Sequence, residues 1–315
     1  MNESIKIGIP RALLYHKYGV LWETFFRALG VESVLSPETN RKIFNDGLKA
    51  AVDESCLPMK VYLGHVAHLI GKCDYILIPR IENLGKDKTN AACVKFFAAY
   101  DIINNTFKER LVENNTKLLD YNVDVFSGKT EDKAFVKMAR VIDVSGRKSK
   151  NAYINARKAQ DVSDALKHGA SVARLSAEGP KILIVSHAYN IYDSLIGASV
   201  AATLKKMGMT AVLANEFDKR ECAEVSANVS QKLYWIYNKE LAGAAHLYKG
   251  CVDGIVFMTA FPCGPDSLVT ELMLRKFAGI PMLNIVLDEL QSESGLQTRL
   301  ESFVDIIIQR RKTAV

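Results

Sequence analysis

Residues 180–217 read "PKILIVSHAYNIYDSLIGASVAATLKKMGMTAVLANEF", and this stretch decides the fold. A short apolar run after Pro180 is followed by a segment with helical periodicity that closes at Gly208. A second apolar run begins at Met209. Short apolar strands that alternate with helices of this length are typical of parallel sheets with helices on both faces. The stretch therefore predicts a doubly wound α/β domain.

The N-terminal part of the chain has the same order of elements, with predicted strands at 5–10, 31–37 and 73–81 and helical segments between them. Two further strands are predicted near the C-terminus, at 252–261 and 280–289. The polar stretch between the two parts is rich in Lys and Asn and has a helical pattern. We predict an α/β protein with two flavodoxin-like or Rossmann-like parallel-sheet domains, at 1–105 and 177–315, joined by a helical connecting segment at 106–176.

The composition is that of a globular protein: 49% of the 315 residues are hydrophobic and 24% are charged. The net charge of +6 is spread along the chain, which argues against a nucleic-acid track. The sequence has no apolar run of the roughly 20 residues that a membrane span needs, and its first residues lack a signal-peptide pattern. We therefore expect a cytoplasmic protein whose six cysteines are reduced.

Three cysteines are predicted to lie in loops or turns at one edge of the sheets: Cys56, Cys93 and Cys263. Cys263 lies in "FPCGPDS" (261–267), a rigid turn between a strand and a helix. From spacing alone, these cysteines could converge on a metal, could bind zinc together with a histidine, or could have no shared role. The other cysteines are Cys73, Cys222 and Cys251, for which we expect structural or incidental roles because free cysteine often behaves as a small buried hydrophobe.

Several longer motifs carry a resemblance to a known family. These are "IGIPRALLYHKYGVLWETFFRALG", "AVDESCLPMKVYLGHV", "DYILIPRI", "ILIVSHAYNIYDSLIG" and "AFPCGPDSLVTELM". The chain resembles the uncharacterised family that accompanies the activases of 2-hydroxyacyl-CoA dehydratases. That family is in turn similar to the subunits of these dehydratases, to benzoyl-CoA reductases and to double-cubane cluster proteins. The resemblance covers nearly the whole chain outside the middle region.

The resemblance implies a [4Fe-4S] cluster held between two domains by Cys56, Cys93 and Cys263, with one position left open. Around Cys93 the chain reads "AACVKF", without the proline that the resemblance leads us to expect after the cysteine. An ATP-hydrolysing activase is the implied electron donor, and an acyl-CoA or another small molecule is the implied substrate. A double-cubane [8Fe-9S] cluster needs more thiolates, so a single chain would reach it only across a homodimer.

Polar residues at predicted strand ends complete the candidate site. Positive charge near a reduced cluster stabilises it, and His or Tyr can transfer protons to a substrate. Asp266 and Ser267 are also expected to cap the helix that follows Cys263. The candidate catalytic residues are Arg11, Lys60, His187 and Tyr189, and the candidate cofactor-binding residues are Arg80, Asn190, Asp266 and Ser267.

The sequence has neither a Gly-x-x-x-x-Gly-Lys-Ser/Thr loop nor a Gly-x-Gly-x-x-Gly fingerprint, so we expect no direct binding of ATP or NAD. The leading hypothesis is an iron–sulfur protein that accepts low-potential electrons and reduces a bound substrate. Two alternatives remain open at this point: a non-enzymatic electron carrier or cluster-assembly protein, and a module that binds zinc or another ligand.

Overall fold

The computed structural model of the chain describes residues 5–290 and 292–313. The expectation of no N-terminal leader rests partly on residues 1–4, which lie outside the described residues. The chain divides into two units, the first ending at Ser163 and the second beginning at Asp164.

Unit 1 alternates strands and helices along the chain. Its strands are β1 (Lys6–Ile9), β2 (Glu32–Leu35), β3 (Tyr75–Leu77), β4 (Arg80–Asn83), β5 (Lys117–Leu119) and β6 (Asn122–Asp124). Its helices are α1 (Tyr15–Leu29), α2 (Arg41–Ala50), α3 (Leu57–Leu69), α4 (Val94–Thr106), α5 (Lys108–Glu113), α6 (Glu131–Val141) and the first part of α7 (Gly146–Leu175).

The main sheet of unit 1 is parallel and has the strand order β2-β1-β3-β5. Strands β4 and β6 form a second parallel pair. They continue the direction of β3 and β5, because Ile78 N–H donates to the Leu119 carbonyl and Arg80 N–H donates to the Tyr121 carbonyl, both at 2.8 Å. Helix α1 packs on this sheet through aromatic side chains, including the fully buried Phe25, which explains the apolar face seen in its sequence.

Unit 2 contains one four-stranded parallel sheet of order β10-β9-β7-β8. The strands are β7 (Lys181–Val185), β8 (Thr210–Leu213), β9 (Gly254–Ala260) and β10 (Met282–Leu287). The helices are α8 (Ala188–Ile191), α9 (Ala198–Lys206), α10 (Lys219–Val225), α11 (Ile236–Tyr248), α12 (Gly264–Lys276) and α13 (Glu293–Thr313). Every residue of β9 is buried, as its continuous apolar sequence predicts for a central parallel strand. The prediction of two flavodoxin-like or Rossmann-like parallel-sheet domains is confirmed.

Both main sheets have the same order when their strands are counted from the start of each unit. The first two strands of each unit pair, and the third strand then lies on the other side of the first. The order therefore reverses between β1 and β3 in unit 1 and between β7 and β9 in unit 2. In open α/β sheets, ligands bind beyond the carboxyl ends of the strands at this reversal. Each unit thus has a topologically favoured binding edge.

The middle of the chain differs from the prediction of a helical connecting segment at 106–176. This segment contains helices α5, α6 and α7, and it also contributes strands β5 and β6 to unit 1. Both strands are only three residues long and have polar neighbours. A pattern this short shows no periodicity in the sequence, so the strands were not predicted. Helix α7 runs across the division of the chain at 163/164.

Within the described residues, none of the helices combines the length and the low charge that a transmembrane helix requires. The cytoplasmic location stays a prediction.

Candidate functional site

The three cysteines of the predicted ligand set share one local setting. Cys56 lies directly before α3, Cys93 directly before α4 and Cys263 directly before α12. Each has an extended backbone, is partly exposed, and has a carbonyl oxygen that accepts a hydrogen bond from the first turn of the helix. The amino end of a helix carries partial positive charge, which attracts negatively charged groups to this position.

The remaining cysteines have different surroundings. Cys73 and Cys222 are buried, with 8% and 1% of their surfaces exposed. Burial raises the pKa of Cys73 to about 11 and that of Cys222 to about 12, so both thiols stay protonated at neutral pH. Cys251 is exposed at the opposite end of β9 from Cys263. Cys73 and Cys222 are thus buried thiols, whereas Cys251 is exposed and does not have the buried setting expected of a structural cysteine.

Within residues 5–290 and 292–313, the structure places no group of three or more His, Cys, Asp or Glu side chains where they could hold a metal ion. Cys56 and Cys93 belong to unit 1, and Cys263 belongs to unit 2. The three-cysteine ligand set stays a prediction.

A buried polar cluster surrounds the Cys263 turn in unit 2. His187 follows β7, Asp266 lies in the first turn of α12, and His187 Nε2 is 2.8 Å from Asp266 Oδ1. The His187 ring stacks on Tyr189, with ring centroids 4.9 Å apart. The structure thus brings together three predicted site residues beside Cys263, at the edge where the strand order reverses.

Asp266 is ionised in spite of its burial. Desolvation alone would raise its pKa, but His187 and the hydrogen bonds from Asn238 and Cys263 hold the pKa below its ordinary value. The carboxylate therefore accepts a hydrogen bond from His187 Nε2–H, which leaves Nδ1 as the proton-accepting atom of the ring. A base oriented by a buried carboxylate is a common arrangement for proton transfer.

The helix after Cys263 begins earlier than predicted. Asp266 and Ser267 were expected to cap it, but α12 starts at Gly264, and Pro265 occupies its first turn, where a missing N–H costs nothing. The Asp266 side chain bonds instead to His187 and Asn238. The Ser267 hydroxyl donates to the Cys263 carbonyl oxygen at 2.7 Å, so this serine stiffens the cysteine turn.

Asn190 lies behind this cluster and is fully buried. Its side-chain amide donates to Ser186 Oγ at 3.1 Å, and Ser186 in turn donates to the Met258 carbonyl on β9 at 2.6 Å. Asn190 Oδ1 is buried with no hydrogen-bond partner among the described residues. A buried acceptor of this kind is costly to leave unpaired, and it marks this edge of the sheet as a candidate for polar ligands.

Asn238 was not predicted from the sequence. It lies on α11 with 6% of its surface exposed, and its side-chain amide donates to Asp266 Oδ1 at 2.7 Å. The only signal in the sequence is a polar residue on the otherwise apolar face of "IYNKELAGAA". The contact depends on the packing of α11 against α12, which periodicity does not give.

The three cations predicted for unit 1 have different surroundings. Arg80 makes a bidentate ion pair with Asp101 at 2.6 and 2.9 Å and lies 4.4 Å from the Tyr100 ring, so its charge is used within the fold. Arg11 Nη2 lies 3.1 Å from the exposed Glu38 carboxylate. Lys60 is 5% exposed and lies one helical turn after Cys56 in α3. Lys60 is therefore the buried cation nearest in sequence to a predicted ligand.

His65 lies on the same helix and is fully buried. Its Nδ1 is 2.8 Å from Ser36 Oγ, and its Nε2 is 2.9 Å from Thr39 Oγ1. Ser36 Oγ also accepts a hydrogen bond from the Arg11 backbone N–H at 2.8 Å. Burial, with smaller contributions from the nearby cations, lowers the pKa of His65 to about 3, so the neutral ring ties α3 to the loop after β2.

The protonation of His65 gives a pH-dependent stability. Because the folded pKa is about 3 and the unfolded pKa is about 6.5, the unfolded chain binds one more proton between these values. Stability therefore falls as the pH drops below about 6.5, and the loss from this residue between pH 7.5 and 5 is about 2 kcal/mol. Urea unfolding at both pH values measures this loss.

The His65→Gln variant keeps hydrogen-bonding atoms but does not titrate, so its unfolding free energy is expected to lose about 2 kcal/mol less than the parent over this interval. The matched control is His68→Gln, which changes a more exposed histidine of the same helix and is expected to alter the pH dependence much less. An identical pH dependence in the parent and in His65→Gln contradicts the neutral, buried state of His65.

Comparisons with solved structures give only distant likenesses. The manganese-bound binding protein FpvC from Pseudomonas aeruginosa is 10% identical, with 99% of this chain and 100% of that chain covered and a TM-score of 0.32. A zinc-bound variant of AdcAII from Streptococcus pneumoniae is 13% identical, with 98% and 99% covered and a TM-score of 0.28. At these TM-scores, the likenesses carry no argument about this chain.

No functionally curated protein matches the sequence. Residues 6–216, about two thirds of the chain, match the family described as CoA enzyme activase uncharacterised domain (DUF2229). The matched stretch contains Cys56, Cys93 and His187 and ends before Cys263. The resemblance seen in the sequence motifs is thereby supported for the activase-associated family. The chain belongs to the CoA enzyme activase uncharacterised-domain family.

Proposed function

We propose that the protein is an iron–sulfur protein of the 2-hydroxyacyl-CoA dehydratase or reductase type. The observation that carries the proposal is the shared setting of Cys56, Cys93 and Cys263, each partly exposed and directly before a helix. Membership in the activase-associated family supports it. In this proposal the three cysteines bind a [4Fe-4S]-type cluster, and an ATP-hydrolysing activase donates the electrons.

The donor chemistry of these residues fits such a group. Soft thiolates select iron–sulfur clusters or zinc over hard cations, and three cysteine ligands leave one iron open to another molecule. Each thiol must lose its proton to bind, and the positive amino end of a helix favours that loss. When bound, the cluster supplies an electron of low potential to a substrate at its open position.

The residues around Cys263 supply a proton and an orientation. Asp266 holds the His187 ring through Nε2, and the stack on Tyr189 restricts its rotation. We propose that His187 Nδ1 takes up a proton and passes it to a reduced substrate, and that the Tyr189 hydroxyl is a second proton donor. The amide of Asn190 offers a buried acceptor to polar groups nearby.

Positive charge in unit 1 has a separate proposed role. Lys60, one turn from Cys56, is the residue that we propose to offset the negative charge of a reduced cluster. Arg80 and Arg11 are already paired with carboxylates, so we propose that they position their loops. An acyl-CoA is the proposed substrate class, and a homodimer with a double-cubane cluster is a variant of the same proposal.

The test follows electron transfer in the anaerobically prepared protein. Mixing it with an ATP-hydrolysing activase and a chemical reductant is expected to bleach the visible absorbance only when ATP is present. A non-hydrolysable ATP analogue is the control. Bleaching with subsequent recovery on addition of an acyl-CoA supports a reductase or dehydratase. Bleaching without recovery for any acyl-CoA favours an electron carrier, and a colourless protein contradicts the proposal.

A further inference from the structure

A cavity lies in unit 2 at the end of the sheet opposite Cys263. It has a volume of about 330 Å³, within the range of small-molecule sites. Its walls come from the turns that precede β9 and β10 and from the last part of α13. Cys263 follows the carboxyl end of β9, so the seven residues of that strand, about 23 Å, separate the cavity from the cysteine turn.

The cavity combines an apolar surface with a cluster of cations. Val252, Pro281 and Ile307 are among its apolar lining residues. The charged lining residues are Lys249, Asp253, Arg310 and Arg311. Three cations and one carboxylate leave two net positive charges. A phosphate monoester carries about −1.5 to −2 charges at neutral pH, which matches this excess.

The arginines are fixed in place but keep donors available. Arg310 Nη2 donates to the Gly279 carbonyl at 3.0 Å, and Arg311 Nη1 donates to Asp253 Oδ1 at 2.7 Å. Asp253 Oδ2 accepts the backbone N–H of Lys181, the first residue of β7, at 2.7 Å. A guanidinium has five N–H donors in a planar fork that fits phosphate oxygens, so these single contacts orient each arginine without exhausting it.

Lys249 is held by a contact within unit 2. Its Nζ lies 4.6 Å from the Phe277 ring, a distance at which an ammonium is attracted to an aromatic face. Together with Arg310 and Arg311, it makes the lining of the cavity attractive to an anion.

We propose that this cavity binds a small organic phosphate monoester, with the phosphate at Arg310, Arg311 and Lys249 and the organic part on the apolar wall. The site lies at the amino edge of the sheet and takes no part in the function proposed above for the cysteines. An organic phosphate buries apolar surface against the apolar wall, whereas inorganic phosphate has no apolar part. We therefore expect the organic phosphate to bind more tightly than inorganic phosphate.

The test is calorimetric titration of the full chain with phenyl phosphate, with inorganic phosphate and benzyl alcohol as comparison probes. We expect saturable binding of one phenyl phosphate per chain, tighter than either comparison probe and weaker at high salt. Arg310→Gln and Lys249→Gln are each expected to lower the association constant about tenfold. Arg275→Gln, which changes an exposed arginine of α12 outside the cavity, is expected to leave it within about twofold of the parent.

Absence of saturable phenyl phosphate binding, or equal binding by the parent, Arg310→Gln and Lys249→Gln, overturns the proposal. Inorganic phosphate that binds as tightly as phenyl phosphate overturns the organic part of the ligand class. The iron content of Arg310→Gln is expected to equal that of the parent. A failure of this site is therefore separate from a failure of the cysteine site.

Discussion

Cys263→Ser is expected to lower the iron content of the anaerobically purified protein from about four atoms per chain to fewer than about one. Serine keeps the size of the side chain and the turn, but its hard hydroxyl oxygen is a poor ligand for an iron–sulfur cluster. The Ser267 hydroxyl still bonds to the backbone carbonyl at this position, so the amino end of α12 is retained. The loss therefore reports ligation rather than unfolding.

Two further variants extend this prediction. Cys56→Ser is expected to have a similar effect, since Cys56 has the same place before α3 that Cys263 has before α12. Cys251→Ser is the matched control, because Cys251 is an exposed cysteine that precedes β9 at the opposite edge of the sheet. Iron that is retained in Cys263→Ser, or lost equally in Cys251→Ser, contradicts the ligand assignment.

Gly64→Ala is expected to destabilise unit 1 by about 3 kcal/mol. A Cβ at Gly64 would lie 2.0 Å from the Ile43 carbonyl oxygen, and one at Gly47 would lie 2.1 Å from the Lys60 carbonyl oxygen. Helices α2 and α3 therefore pack backbone to backbone at this glycine pair, where no flexible side chain can move aside. Urea unfolding followed by circular dichroism measures the loss.

The same substitution reaches the candidate site. Helix α3 begins at the residue after Cys56 and carries Lys60 and His65, so a displaced α3 also displaces these groups. Gly169→Ala in the exposed part of α7 is the matched control, because a Cβ there has open space within 4 Å among the described residues. It is expected to stabilise the protein by up to about 1 kcal/mol, as alanine favours helices over glycine. Equal stability of Gly64→Ala and the parent contradicts the close packing of α2 and α3.

The sequence-based prediction succeeded where the signal was long and periodic. The buried strand β9, the turn at Cys263 and the alternation around β7 were all readable, because a central parallel strand is apolar throughout and Pro and Gly mark turns. The predicted strand at 73–81 is instead two short strands in separate ladders, with Pro79 between them. Proline has no N–H to donate, so the ladder changes there.

The parts that the sequence did not reveal depend on contacts between distant residues. The helical pattern of the sequence starts at Ser230, but α11 begins only at Ile236, because Trp235 has an extended backbone. The bond between Asn238 and Asp266 and the pairing of Gly47 with Gly64 join residues on different helices. A local pattern of polar and apolar residues does not identify contacts between residues far apart in the sequence. These contacts become visible only in the folded structure, where the helices pack together.

Iron and acid-labile sulfide per chain, measured on anaerobically purified protein together with its visible spectrum, give the most direct test. We expect a brown protein with about four iron and about four sulfide per chain, both released on exposure to air. A homodimer that holds a double-cubane cluster also contains about eight irons for each pair of chains, so EPR spectroscopy is needed to distinguish the two clusters. A colourless protein that contains no iron and takes up none from ferrous iron and sulfide under reducing conditions contradicts the iron–sulfur function.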